Sequence, residues 1–183
     1  MAFASPTYDK LLVLDLDETL IHATRAPLAR EADFGVASFH VYRRPHLERF
    51  LAYVLERFRV GIWTSSSDLY ARHVIRATFP ADAPLAFIYT RERCTHHFDR
   101  ESHDVVALKP LKKLRRFGYS PSHILAVDDS PEKWVRSHGN LVRVHPFEGD
   151  PHDDELLALS AYLDTLGAVP DVRPIEKRGW RLR

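Results

Sequence analysis

One cysteine, Cys94, occurs in 183 residues, so no disulfide can close within the chain, which fits a reducing compartment. No apolar run approaches the roughly 18 residues that a membrane-spanning helix requires. The start, Met1 to Lys10, lacks the basic and then apolar pattern of a secretory signal. The formal net charge is only +1, which removes the strong global field of a nucleic-acid or membrane-surface binder. Internal repeats and low-complexity tracts are also missing. These absences lead to the expectation of a soluble, cytoplasmic protein, or a nuclear one if the source is eukaryotic, with no membrane partner and no strong nucleic-acid signal.

What is present is the composition of a globular domain, 45% hydrophobic and 28% charged, at a length that suits one domain. Three short apolar runs each end in polar residues. Leu11 to Leu14 runs into Asp15-Leu16-Asp17-Glu18-Thr19, Val60 to Trp63 into Thr64-Ser65-Ser66-Ser67, and Ile124 to Val127 into Asp128-Asp129-Ser130. A fourth run, Leu141 to Val144, follows a Gly-Asn turn. Continuous runs of this length read as strands buried on both faces of a parallel sheet. Helices fall between them. Leu47, Phe50, Leu51, Val54, Leu55 and Phe58 form an amphipathic stripe that Pro45 would open. Asp68 would cap a second helix. Leu111, Leu114 and Phe117 mark a third, stopped near Gly118, and Ser130-Pro131 opens a fourth. Leu156 to Leu166 is the last, ending near Gly167.

This alternation predicts an α/β, Rossmann-like three-layer sandwich with a central, mostly parallel sheet. Ala23 to Tyr42, with Phe34, Val36, Phe39 and Val41 nearly alternating, reads as a small β-hairpin flap in place of a large cap. Ala86 to Val106 is a strand, Phe87-Ile88-Tyr89, and then a polar hairpin carrying His96, His97 and His103. No cysteine or acid shares a zinc spacing with these histidines. We expect one domain over 1–167 and a tail over 168–183, anchored at most by Trp180.

Ligands of an open parallel sheet bind outside the carboxyl ends of its strands. The sheet would bring Asp15, Asp17, Asp128 and Asp129 together there, with Thr64 and Ser65 beside them. Four converging carboxylates repel one another and call for a hard divalent cation, and an oxygen-only ligand set favours Mg²⁺.

In this order the motifs resemble those of haloacid dehalogenase-superfamily phosphatases. Leu14-Asp15-Leu16-Asp17-Glu18-Thr19-Leu20, Trp63-Thr64-Ser65-Ser66, Lys109 and Val127-Asp128-Asp129-Ser130-Pro131 carry the likeness. More narrowly the chain resembles the branch that holds the RNA polymerase II C-terminal-domain phosphatases and their small, nuclear-LIM-interactor-interacting-factor-like relatives. That branch usually has Arg-Pro-Gly where Arg44-Pro45-His46 stands here, and Lys-Asp where Lys109-Pro110 stands.

The resemblance implies roles. Asp15 would be the nucleophile that takes up phosphate, and Asp17 the general acid and then base. Thr64, the backbone N–H of Ser65 and Lys109 would hold the phosphoryl group. Asp15, the backbone carbonyl of Asp17, Asp129 and Asp128 would hold Mg²⁺. Arg91, in Thr90-Arg91-Glu92-Arg93-Cys94, would lie near the substrate. A flap too small to close the site suits phosphoserine or phosphothreonine in a protein or peptide. Other readings are a small-metabolite or nucleic-acid-end phosphatase of the same superfamily, and a noncatalytic binding module on the same fold.

Overall fold

Leu11, Leu12, Val13 and Leu14 are fully buried because the strand they form has apolar layers on both sides. In this computed structural model, which describes residues 5–99 and 103–182, that strand is β1 (Leu11–Leu14), the centre of a five-stranded sheet. Its neighbours are β5 (Arg59–Trp63) and β9 (Ile124–Asp128), and β6 (Ile88–Tyr89) and β10 (Leu141–Arg143) lie at the two edges. All pairings are parallel, so every strand delivers its carboxyl end to one rim. The fold is the expected α/β, Rossmann-like sandwich.

Side chains alternate across the sheet with the period of two that a strand imposes. Leu12 and Leu14 join one apolar cluster with α1 (Leu47–Arg57), α2 (Asp68–Thr78) and α3 (Glu155–Gly167). Leu11 and Val13 face a second cluster containing Trp63, Phe87, Leu114 and Trp134. Within β5, Gly61 is required by close approach, since a Cβ there would sit 2.3 Å from the Phe87 ring.

The flap is a three-stranded antiparallel sheet, β2 (Ile21–Thr24), β4 (Phe39–Arg43) and β3 (Phe34–Val36), in that order. The polar hairpin is β7 (Thr95–Asp99) paired with β8 (Asp104–Leu108).

Several helix expectations need correction. The third helix is a 3₁₀ segment, Leu111–Phe117, ended by Gly118 at φ 82. Its apolar residues recur every three positions, the period of a 3₁₀ helix rather than an α-helix. The fourth is a single 3₁₀ turn, Pro131–Trp134. The Ser130 hydroxyl donates to Asp129 at 3.1 Å, so it does not cap. Asp68 is the first residue of α2, not its cap, and accepts from Arg72 at 2.7 Å. Pro45 stands before α1, and His46 holds the N-cap position at φ 65. That left-handed backbone favours glycine, so the histidine here carries some backbone strain.

The segment after α3 packs against the domain. Trp180 stacks on Tyr162 with ring centroids 5.1 Å apart and donates from Nε1 to the Arg143 carbonyl at 2.7 Å. The buried Lys177 ammonium donates to the carbonyls of Gly139 at 2.8 Å and Ile175 at 2.9 Å.

Arg44 ties the flap to the sheet rim. Its guanidinium is fully buried and donates to both oxygens of Asp153 at 2.8 Å, to the Thr19 carbonyl at 3.0 Å and to the His145 carbonyl at 2.9 Å. Burial works against the Asp153 charge, but the Arg44 hydrogen bonds and charge outweigh it and hold the carboxyl below its ordinary range. A depressed carboxyl contributes stability above its unfolded value of about 3.9 and loses it as pH falls through the folded value. Asp153→Asn leaves a buried guanidinium unpaired and is expected to cost about 3 kcal/mol at pH 7. Urea unfolding of both proteins should show that gap narrowing below pH ~4.

Candidate active site

The pairing register builds the site. Leu14 lies beside Val127 on one side and Ile62 on the other, and the Asp15 N–H donates to the Val127 carbonyl at 3.0 Å. Asp15 therefore emerges level with Asp128 at the switch point where the chain turns from one half of the sheet to the other, the usual ligand crevice of such folds. Directly after β1 the chain folds back in a tight turn. Glu18 takes φ 58, and the N–H groups of Leu20 and Ile21 both donate to the Leu16 carbonyl. This turn brings Asp17 to the same rim.

Asp15 is buried and faces two lysines. Lys109 Nζ is 3.0 Å from Oδ1 and Lys133 Nζ is 3.3 Å from Oδ2. Only the Lys133 contact is aligned as a hydrogen bond, so Oδ1 is a buried oxygen with no hydrogen-bond donor. Asp128 is fully buried and heavily engaged: it accepts from Lys109 at 2.5 Å, from Trp134 Nε1 at 2.9 Å and from the Ser130 N–H at 3.0 Å. Asp129, half-buried, meets only the hydroxyls of Thr19 at 3.5 Å and Ser130 at 3.1 Å. Burial opposes the charge of Lys133, but Asp15, Asp128 and Asp129 outweigh it and hold the ammonium above the ordinary lysine range.

Asp15, Asp128 and Asp129 each present an oxygen within 4.8 Å of the others. Three carboxylates against two ammonium groups leave the cluster with one negative charge in excess. The orphaned Asp15 oxygen, the lightly bonded Asp129 and the all-oxygen donor set fit a hard divalent cation. The Asp17 carboxylate points elsewhere. It accepts from Ser66 Oγ at 2.7 Å and Tyr70 OH at 2.6 Å, and its side chain stands outside the three-carboxylate group. Burial raises its pKa against the lowering effect of those two hydrogen bonds.

Thr64 is buried at the end of β5, where its Oγ1 accepts from the Ser66 N–H at 3.0 Å. That leaves its proton free to donate. Ser65 is half-buried beside it, and the exposed Arg91 donates from Nε to the Ser65 carbonyl at 3.0 Å. The structure thus gathers Asp15, Asp17, Thr64, Ser65, Arg91, Lys109, Asp128 and Asp129 at one rim. Lys112 is exposed and Lys113 donates to the carbonyls of Arg93 and Cys94, so neither competes with Lys109. Cys94 is buried, and burial raises its thiol pKa, which keeps it unreactive.

Sequence reading gave no role to three contributors, Lys133, Trp134 and Ser66, and left Tyr70 between core packing and the site. The first two sit one turn after Asp128-Asp129. The available signal was electrostatic, since a single lysine does not balance several buried carboxylates.

Residues 10–173 match the family described as NLI interacting factor-like phosphatase. A Caenorhabditis elegans relative, "CTD nuclear envelope phosphatase 1 homolog", is 29% identical over 92% of this chain and 71% of its own. "Nuclear envelope morphology protein 1" of Schizosaccharomyces pombe is 30% identical over 91% of this chain and only 35% of its own. Among solved structures, "Fcp1, an essential RNA polymerase II CTD phosphatase" superimposes with a TM-score of 0.66 at 20% identity, covering 87% of this chain and 63% of that one. That likeness is one of fold.

The cytoplasmic expectation is overturned by these relatives, whose names point to the nuclear envelope. No helix among the described residues is long and apolar enough to cross a membrane, but the lack of a span within a catalytic fold does not assign a compartment. The rim of paired carboxylates and lysines and the match over residues 10–173 together establish that the chain belongs to the NLI interacting factor-like phosphatases, on the haloacid dehalogenase fold.

Proposed function

We propose that the chain hydrolyses phosphoserine or phosphothreonine esters in protein substrates, through a phosphoryl group carried on Asp15 and with Mg²⁺ as cofactor. The observation that carries this reading is the environment of Asp15. It is a buried carboxylate at the sheet's switch point with an ammonium group within 3.3 Å of each oxygen, and beside it lie the carboxylates of Asp128 and Asp129.

In this reading an Asp15 oxygen attacks phosphorus and the ester oxygen leaves, taking a proton from Asp17. The burial that raises the Asp17 pKa favours the protonated form this step needs. Asp17 then removes a proton from water, which attacks the phosphoryl group, releases phosphate and restores Asp15. Thr64 and the Ser65 N–H, with Lys109 and Lys133, hold the phosphoryl oxygens. Asp15, Asp129 and the Asp17 carbonyl would hold Mg²⁺. When bound, it offsets charge between the carboxylate and the incoming phosphoryl oxygens. Asp128, already satisfied by three donors, orients Lys109 and sits at the edge of the metal group.

The substrate class rests on access and on kinship. A three-stranded flap without a large cap leaves the rim open to a segment of folded or extended protein. The relatives' names describe phosphatases of a polymerase C-terminal domain and of the nuclear envelope. We take residues 1–167 as the one catalytic domain, with the following segment strapped to it.

Turnover of p-nitrophenyl phosphate by wild type with Mg²⁺, its loss in EDTA and its loss in Asp15→Asn are expected. Asp17→Asn should release about one equivalent of nitrophenol and then stall, because this leaving group needs no proton while the second step needs a base. Inactivity of folded wild type with Mg²⁺, or full activity of Asp15→Asn, contradicts the reading. Lys133→Met should lower kcat/KM about 10²- to 10³-fold with an unchanged circular dichroism spectrum. An undiminished rate would remove Lys133 from the phosphoryl site.

A further inference from the structure

Beside the catalytic rim lies a cleft of about 80 Å³ between the base of the β7–β8 hairpin and the turn after β9. A water occupies roughly 30 Å³ of liquid, so the space suits one oxyanionic group. Its ionisable lining is His96, His97, Lys109, Lys112, Lys133 and Arg136, with no acidic residue at all. Acids and bases are nearly equal over the whole chain, 25 against 26, so this wall is a local segregation of positive charge. Lys109 and Lys133 are engaged with Asp15 and Asp128. Lys112 and Arg136 are exposed, and neither makes an ion pair among the described residues.

Two ordinary explanations do not account for the patch. A solvated helix face would intersperse both signs, and a structural cluster would pair its members. Position adds the decisive point. Lys133 forms a wall of this cleft and reaches to 3.3 Å from Asp15 Oδ2. The cleft that the free charges line therefore shares Lys133 with the nucleophile's own surroundings. A peptide with its phosphoserine at Asp15 would pass this shared wall, so that a residue near the phosphoserine meets the cleft.

We propose that this cleft is a second anion subsite. It would select phosphopeptides carrying another negative group, a carboxylate or a second phosphate, close to the residue being dephosphorylated. The proposal rests on the phosphatase reading above and names the substrate feature that reading leaves open. Further along the hairpin, Phe98 and Val105 face one another and are 54% and 55% exposed, offering apolar contact to the same segment.

The test compares three phosphoserine peptides with neighbours that are alanine, glutamate or phosphoserine, in low and moderate salt. Wild type and the double variant Lys112→Glu/Arg136→Glu are assayed, with p-nitrophenyl phosphate as the control. For wild type, kcat/KM should be about tenfold higher for the charged peptides, mainly through KM, and the preference should shrink with salt. The variant should lose the preference and keep the p-nitrophenyl phosphate rate. Equal rates on all peptides, or a preference that survives in the variant, overturns the subsite. So does binding of wild type, but not the variant, to vesicles containing phosphatidylserine without any peptide preference. Failure of p-nitrophenyl phosphate turnover itself would sink the underlying phosphatase reading instead.

Discussion

The structure depends on one electrostatic constraint, the convergence of three buried or half-buried carboxylates, Asp15, Asp128 and Asp129, at the carboxyl rim of two adjacent strands. Ions of like charge in a low-dielectric setting are costly unless countered. Lys109 and Lys133 supply part of the counter-charge, and much of the local architecture serves to place them. Lys109 is fully buried at the end of β8, with its N–H bonded to the Lys133 carbonyl. Trp134 closes the far side of Asp128. The negative charge that remains in the cluster is what a divalent cation would offset in the proposed mechanism.

A second constraint fixes the flap beside this rim. The insertion after the first motif is spent on a three-stranded flap rather than a lid, and it is pinned at its base by the buried Arg44 and Asp153. Arg44 also donates to the Thr19 carbonyl, so the same side chain fixes the turn that carries Asp17. Access and catalytic geometry are thereby joined through one guanidinium.

Much of this was legible beforehand, for physical reasons. Continuous apolar runs of four or five residues ending in acids read as buried parallel strands, because they are too short for a buried helix. The positions of Asp15, Asp17, Thr64 and Asp128 followed from strand ends alone. The 3₁₀ segments were not legible as such, since Leu111, Leu114 and Phe117 at a spacing of three also fit a short α-helical stripe. Lys133 was hidden because a lysine in a short polar turn looks solvent-facing until the carboxylates opposite it are placed. Helical spacing alone allows Tyr70 either to pack in the core or to reach the site, and its hydroxyl at 2.6 Å from Asp17 places it at the site. Location could not be read from missing signals, and the relatives corrected it.

The most direct test of the central claim, that Asp15 carries phosphate, is to quench the wild type in acid during turnover of a ³²P-labelled phosphopeptide. The denatured protein is then mapped by mass spectrometry. The account predicts label on the peptide containing Asp15, discharged by hydroxylamine as an acyl phosphate must be, and no label in Asp15→Asn. Label on another residue, or steady turnover in Mg²⁺ with no covalent species at any quench time, would contradict it.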